Sequence, residues 1–397
     1  MAFHRPNPLI AIALIGVLLG TSAVLSERPT LHATGSTETP PNFKVAFIGD
    51  QGLGPNAEAV LTLIQAEGAD MVLHQGDLGY GSETNPQTAI DWDAQITDIL
   101  GDDFPYFASA GNHDVGNWST YQQLLDDRLA LVPGATCTGD LGVSAACTYQ
   151  GLFFILSGAG SIPDTPDYQP HIDFIHNALA ENSSIWRICA WHKNQTAVQV
   201  GSKTNEVGWG PYEECRNGRA IIATAHEHSY ERTKTLSNIQ TQTVDSRWPN
   251  PADVHVAQGS TFVFVSGLGG KDIRNQDRCF PTTPPYGCNG EWASISTSDQ
   301  GADFGALFIE FNVDGNPRKA NGYFKEIDGD VIDAFTIYSE PTGVGGDAEP
   351  PAIDDTAARA ADSSERQIGI IIGLLSAAAA GTIMFSGLAW YAWRRTR

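Results

Sequence analysis

The chain has 397 residues, 42% of them hydrophobic, which is enough for one large α/β domain or two small ones with a substantial core. Its 46 acidic residues against 23 Lys and Arg give a formal net charge of −23, which argues against binding to nucleic acid or to an anionic membrane surface. This charge also repels anionic ligands at long range, so their binding would have to depend on local positive charge.

The first residues have the pattern of a secretory signal peptide, which we predict over residues 1–23. Arg5 gives a short basic start, residues 9–20 are apolar, and the small residues Thr21, Ser22 and Ala23 suit cleavage. An uncleaved anchor is the alternative, but the apolar run is short for a membrane span. Residues 24–41 form an N-terminal tail, and a catalytic domain is predicted over residues 42–342.

Strands and helices alternate in the first half of this domain. Apolar, β-branched runs predict strands, whereas apolar residues spaced by three and four predict helices. The alternation is typical of a mixed, partly parallel sheet. In chain order the predicted elements are a strand at 44–48, a helix at 57–67, a strand at 71–74, a helix at 88–100, a strand at 107–110 and a helix at 121–131.

The second half is richer in strands. The predicted fold is therefore of the mixed α/β class, with two packed mixed β-sheets flanked by helices and a functional site where strands end. The strands are predicted at 152–157, 187–191, 220–224, 261–266 and 306–313, and a hairpin at 308–323 turns at Asp314-Gly315.

Five short polar segments each follow an apolar, β-branched run. Because functional sites on open sheets form where successive strands end, we expect these segments to converge. Glycines inside or beside four of them permit the sharp turn from strand to loop. The segments are Gly49-Asp50-Gln51-Gly52, Gly76-Asp77-Leu78-Gly79-Tyr80, Gly111-Asn112-His113-Asp114, Trp191-His192 and Ala225-His226-Glu227-His228-Ser229-Tyr230-Glu231-Arg232.

These segments carry the side chains that a pair of metal ions needs, namely a bridging ligand, terminal ligands and open positions for water and substrate. Asp77 is the candidate bridge because both carboxylate oxygens carry lone pairs, and Asp50 is a candidate terminal ligand. His226 and His228 are two residues apart, and in a loop they can diverge toward two neighbouring ions. The other candidate ligands are the imidazole of His192 and the amide oxygen of Asn112.

Tyr80 changes the expected metal. A phenolate is a hard, electron-rich donor, and together with Asp50 it favours trivalent iron over zinc at one position. Metal coordination would also lower the proton affinity of the phenol.

His113 is not assigned to a metal, because it directly follows a candidate ligand and can face a substrate instead. Its imidazole could stabilise phosphoryl oxygens or protonate a leaving alkoxide. The neighbouring Asp114 could orient that ring.

The five segments resemble the calcineurin-like metallophosphoesterase superfamily, and within it the purple acid phosphatases. Asp-x-Gly, Gly-Asp-x-x-Tyr, Gly-Asn-His-Asp, a lone His after a strand and His-x-His occur in the family's order over residues 42–338. Tyr80 and the Tyr230-Glu231-Arg232 sequence are the features that resemble the purple acid branch.

The resemblance implies a two-metal centre. Asp50, Asp77, Tyr80 and His228 would bind ferric iron. Asp77, Asn112, His192 and His226 would bind a divalent ion, which is iron, zinc or manganese in the family. A metal-bound hydroxide would attack phosphorus in line, and His113 would assist the leaving group.

The sequence departs from the family pattern in several places. Ala225 stands where the family usually has Gly, and no further His lies between His192 and His226, where many relatives carry histidines that contact substrate. Lys193 could replace them as a phosphate contact. Tyr230 and Arg232 are expected to support the ligands rather than to touch substrate.

The six cysteines favour an oxidising compartment. Cys137 with Cys147 and Cys279 with Cys288 are close in sequence and form the predicted local pairs. Cys189 and Cys215 remain as the third pair. No Cys-x-x-Cys spacing supports a thiolate metal site.

The C-terminal end resembles a membrane anchor. Residues 343–367 are rich in Gly, Pro, Ala, Asp and Glu and predict an acidic flexible stalk. Residues 368–393 are apolar and uncharged and predict a transmembrane helix. Three arginines in residues 394–397 predict a basic cytoplasmic tail, with the catalytic domain outside. A lipid-anchor signal is the alternative.

The sequence therefore predicts an exported, single-pass membrane protein with an acid phosphatase-like activity on phosphate monoesters. Its expected partners are a small phosphorylated substrate and the membrane, but not nucleic acid. The alternatives are a phosphodiesterase or nucleotide hydrolase on the same metal site, and a surface binding module without catalytic activity.

Overall fold

The computed structural model describes residues 38–162 and 168–341. The predicted signal peptide, stalk, transmembrane helix and basic tail lie outside these residues, as do residues 24–37 of the predicted N-terminal tail. Within the described part of the chain, no helix is long and apolar enough to cross a membrane. The longest described helix has 14 residues, or about 21 Å at 1.5 Å per residue, against about 30 Å of hydrocarbon. This finding corrects the predictions of a single-pass membrane location and of the membrane as a partner.

Five α-helices and seventeen strands make up the described residues. The helices are α1 (Pro55–Ala66), α2 (Gln87–Leu100), α3 (Trp118–Leu129), α4 (Gln169–Glu181) and α5 (Trp209–Asn217). The strands are β1 (Phe43–Ile48), β2 (Met71–His74), β3 (Tyr106–Ala108), β4 (Thr136–Asp140), β5 (Ser144–Tyr149), β6 (Leu152–Ser157), β7 (Arg187–Ala190), β8 (Ile221–Thr224), β9 (Tyr230–Thr233), β10 (Leu236–Asn238), β11 (Thr243–Val244), β12 (Asp253–Val256), β13 (Val263–Ser266), β14 (Trp292–Ser296), β15 (Gly305–Phe311), β16 (Lys319–Glu326) and β17 (Val331–Ser339).

Two large mixed sheets contain most of the strands. The first sheet has the order β12-β17-β16-β15-β1-β2-β3, and the second has the order β14-β9-β13-β8-β7-β6-β5-β4. Strands β1, β2 and β3 are mutually parallel, as are β6, β7, β8 and β13. These two parallel groups are the ones that carry the polar segments. The predicted fold class, two mixed sheets with flanking helices, is confirmed.

The pattern of burial explains which strands lie at the centre. Residues of β2 and β8 are buried on both faces, as expected for parallel strands covered by other layers. In β16, by contrast, buried and partly exposed residues alternate, as they do in a strand with one face toward solvent. The apolar runs in the sequence therefore mark the strands on which the site is built.

The two sheets pack face to face, and aromatic rings fill the space between them. Phe47 of β1 contacts Phe264 of β13 edge-on at 5.2 Å between ring centroids, and Phe107 of β3 contacts Phe154 of β6 at 4.7 Å. Two serines also connect the sheets. Ser109 Oγ donates to the Ala190 carbonyl at 2.9 Å, and Ser266 Oγ donates to the Phe47 carbonyl at 2.8 Å.

The predicted elements agree with the structure to within a few residues. The strands at 71–74 and 152–157 have the predicted bounds, and the hairpin at Asp314-Gly315 joins β15 to β16. Helices α4 and α5 and the hairpin β4–β5 were not predicted. Helix α5 has two glycines at its borders and one inside it, and every residue of β4 is exposed, so periodicity gave no clear signal for either.

Candidate metal centre

The structure brings the seven predicted ligand side chains together at one edge of the two sheets. Each lies in a loop that follows a strand with at least one parallel neighbour. Asp50, Asp77 and Asn112 follow β1, β2 and β3 of the first sheet, and Tyr80 lies in the loop after β2. His192, His226 and His228 follow β7 and β8 of the second sheet. The site therefore lies between the sheets and receives ligands from both.

One half of the site consists of Asp50, Tyr80 and His228. The Tyr80 hydroxyl lies 2.5 Å from Asp50 Oδ1 and 3.0 Å from His228 Nε2. The same Asp50 oxygen lies 3.2 Å from His228 Nε2. A carboxylate, a phenol and an imidazole thus point at one position.

The other half consists of Asp77, His192 and His226, whose candidate ligand atoms lie within 4.8 Å of one another. His192 Nε2 is 3.1 Å from Asp77 Oδ2 and 3.0 Å from His226 Nδ1. His192 Nε2 is also 4.0 Å from Asp50 Oδ1, which places the two halves side by side.

The backbone at these positions is unusual. Asp50, Asp77, Tyr80 and His226 all have positive φ angles, between 48° and 70°, which residues other than glycine rarely adopt. Such conformations persist only where surrounding contacts enforce them, and they cluster at functional sites. Here the loops brace one another, because the Asp50 and Gln51 amides donate to the carbonyls of Gly76 and Asp77 at 3.1 Å.

Oxygen acceptors hold the outer nitrogen of each histidine. His192 Nδ1 lies 2.9 Å from the Gln75 carbonyl, and His226 Nε2 lies 2.8 Å from the Glu206 carboxylate. His228 Nδ1 contacts the Asp272 carboxylate. Because an oxygen acceptor requires a proton on the nitrogen it faces, the other nitrogen of each ring carries the lone pair when the ring is neutral, as a metal ligand must be.

Metal ions fit this arrangement. The inward nitrogens of His192 and His226 face each other at 3.0 Å, which is unfavourable for two lone pairs unless a proton or a metal ion lies there. The side-chain oxygen of Asn112 is buried and has no hydrogen-bond partner among the described residues, as expected for an oxygen that binds a cation. Carboxylate, imidazole, amide and phenol form a donor set suited to transition metals.

The carboxylates are strongly acidic. Burial alone would raise the pKa of the Asp50 carboxyl, but His228 and His192 hold it far below its usual range. The same opposition, with His192 as the main partner, lowers the pKa of Asp77 to about 2. Burial and the charges of Asp50 and Asp77 raise the pKa of the Tyr80 phenol well above its usual value. The two aspartates therefore concentrate negative charge that a cation would neutralise, whereas the Tyr80 phenol keeps its proton until a cation displaces it.

Asp114 does not orient His113, contrary to our prediction. Its Oδ2 accepts the amides of Asp77 at 2.9 Å and Gly111 at 2.8 Å, and its Oδ1 accepts the Leu78 amide at 2.8 Å. The buried carboxylate therefore fixes the loops that follow β2 and β3. Both oxygens of this carboxylate accept from backbone amides, two of which come from a different loop.

His113 lies at the exposed side of the site. Its Nδ1 is 2.9 Å from the Glu83 carboxylate, its ring contacts the Tyr80 ring at 4.7 Å, and its amide donates to Asp77 Oδ1 at 2.8 Å. Glu83 therefore takes the orienting role that was predicted for Asp114, and the remaining imidazole nitrogen is available to a ligand.

The side chains of Tyr230 and Arg232 bind Asp333, whereas the sequence predicted that they support the metal ligands. The Tyr230 hydroxyl donates to Asp333 at 2.7 Å, and the Arg232 guanidinium donates to both oxygens of the same carboxylate at 2.6 and 3.0 Å. They join β9 of the second sheet to β17 of the first. Lys193 lies 3.5 Å from Glu206, and so it neutralises the carboxylate that holds His226.

Four residues near the centre were not predicted, namely Glu206, Lys271, Asp272 and Arg274. The Arg274 Nη2 lies 3.5 Å from His228 Nε2, its Nη1 is 3.3 Å from the His226 carbonyl, and its amide donates to the His228 carbonyl at 2.9 Å. Lys271, Asp272 and Arg274 all follow β13, which is parallel to β8. An apolar run followed by Gly267-Leu268-Gly269-Gly270 has the same pattern as the five segments and could have revealed this sixth loop.

All three predicted cysteine pairs form disulfide bonds in the structure, namely Cys137–Cys147, Cys189–Cys215 and Cys279–Cys288. Cys279 and Cys288 lie near Glu291, but their sulfurs are joined and do not offer thiolates to a metal.

The chain resembles known proteins both in part of its sequence and in its fold. Residues 43–230 match the sequence profile of the calcineurin-like phosphoesterases. No curated protein matches the whole sequence significantly. Among solved structures, the chain is similar to a purple acid phosphatase from yellow lupin (Lupinus luteus) seeds, with 18% identity and a TM-score of 0.53 over 78% of this chain.

That similarity covers 59% of the length of the lupin structure. The chain also matches a structure of PhoD, with 11% identity and a TM-score of 0.49 over 79% of this chain and 74% of that one. A dimetal phosphatase from Danio rerio matches with 11% identity and a TM-score of 0.41, over 76% of this chain and all of that one.

The fold and the ligand set define a metal-dependent phosphoesterase. Residues 43–230 resemble the calcineurin-like phosphoesterases, and this matched region contains the predicted segments as far as Tyr230.

Proposed function

We propose that this protein is a phosphatase of the purple acid branch, with two metal ions, that hydrolyses phosphate monoesters. The observation that carries the proposal is the meeting of six potential ligands from four loops in two groups of facing donor atoms, with the unpartnered oxygen of Asn112 in a fifth loop. The similarity of the fold to a purple acid phosphatase supports it.

The two groups of side chains correspond to two metal positions. Asp50, Tyr80 and His228 would hold ferric iron, because a phenolate and a carboxylate are hard donors. Asn112, His192 and His226 would hold a divalent ion of iron, zinc or manganese, and Asp77 would bridge both positions. When bound, such ions supply positive charge for the phosphoryl oxygens and make a water molecule more acidic.

The other residues of the centre have separate roles in the proposed reaction. His113, oriented by Glu83, would give a proton to the leaving oxygen of the substrate. Arg274, with Nη2 3.5 Å from His228 Nε2, would contact the phosphoryl oxygens through its planar, positively charged guanidinium group. Glu206, Asp272 and the Gln75 carbonyl would keep the histidine rings in their ligating orientation.

The test is phosphate release from an aryl phosphate monoester and from the matching diester, measured with the full-length, metal-loaded protein. We expect turnover of the monoester, and we expect Asp77→Asn to lower it by more than about 100-fold because the bridging ligand is lost. Asp103→Asn, which removes an exposed carboxylate elsewhere, should leave the rate unchanged.

Two other results would contradict the proposal. Turnover of the diester alone would keep the metal site and replace the substrate class with phosphodiesters. No turnover of either substrate, by protein shown to contain two metal ions per chain, would favour a binding module without catalytic activity.

A further inference from the structure

A groove of about 350 Å³ opens next to the metal centre and is not used by the proposed reaction. Residues 52–54, Tyr80 and Lys271 belong to its walls, which are made by the loops that follow β1, β2 and β13. We call it the Lys271 groove. Most of the described residues that line it are glycines, and none of them carries a carboxylate.

Tyr80 is the wall that the groove shares with the metal centre. The Tyr80 hydroxyl lies 2.5 Å from Asp50 Oδ1. The Lys271 ammonium nitrogen lies over the ring of Tyr80, 5.0 Å from the ring centroid. A substrate with its reacting phosphate at the metal centre would therefore extend over Tyr80 into the groove.

The walls are held in place by the same backbone that positions the ligands. The amide of Lys271 donates to the Asp50 carbonyl at 3.0 Å, and the amide of Gly269 donates to the Gly49 carbonyl at 3.0 Å. On the other side, Gly52 donates to the Leu78 carbonyl at 2.9 Å. The groove is thus formed before any ligand arrives, which favours binding because little ordering is required.

The charge of the groove is opposite to that of the molecule. The chain has a net charge of −23, but Lys271 is the only charged side chain among the described residues that line this groove. Within residues 38–162 and 168–341, no carboxylate lies within ion-pair distance of its ammonium group. The larger cavity between α1 and α2, by comparison, is lined by Glu58, Asp91 and Asp98. An ammonium group in a groove without carboxylates is suited to an anion.

We propose that the Lys271 groove binds a second phosphate group of the substrate, so that the preferred substrate class is a compact bisphosphorylated compound. Glycine walls let phosphate oxygens approach the backbone closely, and Lys271 supplies the compensating charge. This inference rests on the proposed phosphatase activity and specifies its substrate.

The test compares phosphate release from propane-1,3-diol bisphosphate and from propyl phosphate, which have the same kind of alkyl leaving group. With the full-length, metal-loaded protein, we expect kcat/KM to be about tenfold higher for the bisphosphate, through a lower KM. Lys271→Gln should remove this preference, and Lys271→Arg should restore most of it. The matched control Lys319→Gln removes a positive charge from β16, which does not line the groove, and should keep the preference.

Gly54 allows a second, independent variant. A side-chain carbon at Gly54 would meet no atom within 4 Å, and its φ of −90° and ψ of 177° suit any residue. Gly54 is also the N-cap of α1, where Asp and Asn are both favourable. Gly54→Asp should therefore raise KM for the bisphosphate by repulsion, whereas Gly54→Asn should raise it much less.

Three results would overturn the inference. Equal kcat/KM values for the two substrates in the wild type would show that the groove does not recognise a second phosphate. A preference that survives both Lys271→Gln and Gly54→Asp would place the recognition elsewhere. In either of these two cases, turnover of propyl phosphate would leave the proposed phosphatase activity intact. If the protein turned over neither of the two substrates nor an aryl phosphate, the proposed activity and the inference about the groove would both be contradicted.

Discussion

The ring of each candidate histidine ligand is held in place by a hydrogen-bond acceptor on the side that faces away from the centre. The Gln75 carbonyl, Glu206 and Asp272 accept from His192, His226 and His228, so the inward nitrogens are fixed as lone-pair donors. Acceptors of this kind orient the ring and raise its basicity as a ligand. The acceptor for His226 is itself paired with Lys193, so a partly buried cation acts on the centre through two contacts.

Tyr80 provides a direct test of the proposed ferric ion. Purified protein should be coloured, because a phenolate bound to ferric iron gives a visible charge-transfer band. Tyr80→Phe should remove the band while the protein stays folded, and absorption spectra together with metal analysis check both points. A colourless wild type loaded with zinc or manganese would contradict the assignment of iron.

His113 should matter most for substrates with poor leaving groups. His113→Ala is expected to lower kcat for an alkyl phosphate by about 100-fold and to have a much smaller effect for an aryl phosphate, whose leaving oxygen needs little protonation. Glu83→Gln should give a weaker effect of the same kind.

The matched control is His176→Ala. His176 forms the same kind of exposed contact, 2.9 Å from Glu214, but it lies on α4 away from the centre. Equal losses for alkyl and aryl substrates in His113→Ala would show that this residue does not act on the leaving group.

At the residue scale, the sequence indicated which side chains converge better than it indicated the residues that hold them in place. Asp50, Asp77 and Asn112 could be predicted because each directly follows a strand, which is a local feature. Glu206 could not, because its contact with His226 joins positions 20 residues apart through the fold. The role of Asp114 was wrong because its amide partners Asp77 and Leu78 are 37 and 36 residues away.

At the scale of elements, the site depends on strands that run parallel and end together. Six loops now contribute to it, after β1, β2, β3, β7, β8 and β13. Five were predicted from their metal-ligating side chains. The loop after β13 was missed because Lys271 and Arg274 are not metal ligands, and only the strand pairing of β13 with β8 brings them to the site.

The contact of β9 with β17 is expected to stabilise the fold rather than to serve the reaction. Asp333→Asn would leave the buried Arg232 without its counter-ion, which costs about 3–5 kcal/mol in the free energy of unfolding. Urea denaturation measures this loss. Phosphate release per folded molecule should remain close to that of the wild type.

Asp330→Asn is the control for this prediction, because Asp330 is exposed and has no ion pair within the described part of the chain. A large fall in kcat for Asp333→Asn, with little loss of stability, would show instead that Tyr230 and Arg232 act on the centre, as the sequence first indicated.

At the scale of the whole molecule, metal binding should stabilise the protein. The concentrated carboxylates at the centre are unfavourable without a cation, and a ligand that binds only the folded state adds free energy. Removing the metals with a chelator should therefore lower Tm. At a free metal concentration of 100 times Kd, the loss corresponds to about 2.7 kcal/mol per site.

Calorimetry with and without chelator measures this effect, and the Asp77→Asn variant should respond much less than the wild type. An unchanged Tm, in protein whose loss of metals is verified by elemental analysis, would show that the two halves of the centre are held rigidly by the polypeptide alone.

Because the candidate ligands come from both sheets, the metal centre can be completed only late in the synthesis of the chain. Asp50 and His226 are 176 positions apart in the chain, yet the amide of one is hydrogen-bonded to the carboxylate of the other at 2.8 Å. A nascent chain that has not reached β8 can offer oxygen ligands from the first sheet but not the complete set. The two proposed metal ions would therefore bind in full only after the two sheets have packed together. The metal content of a preparation would then measure the fraction of correctly folded molecules.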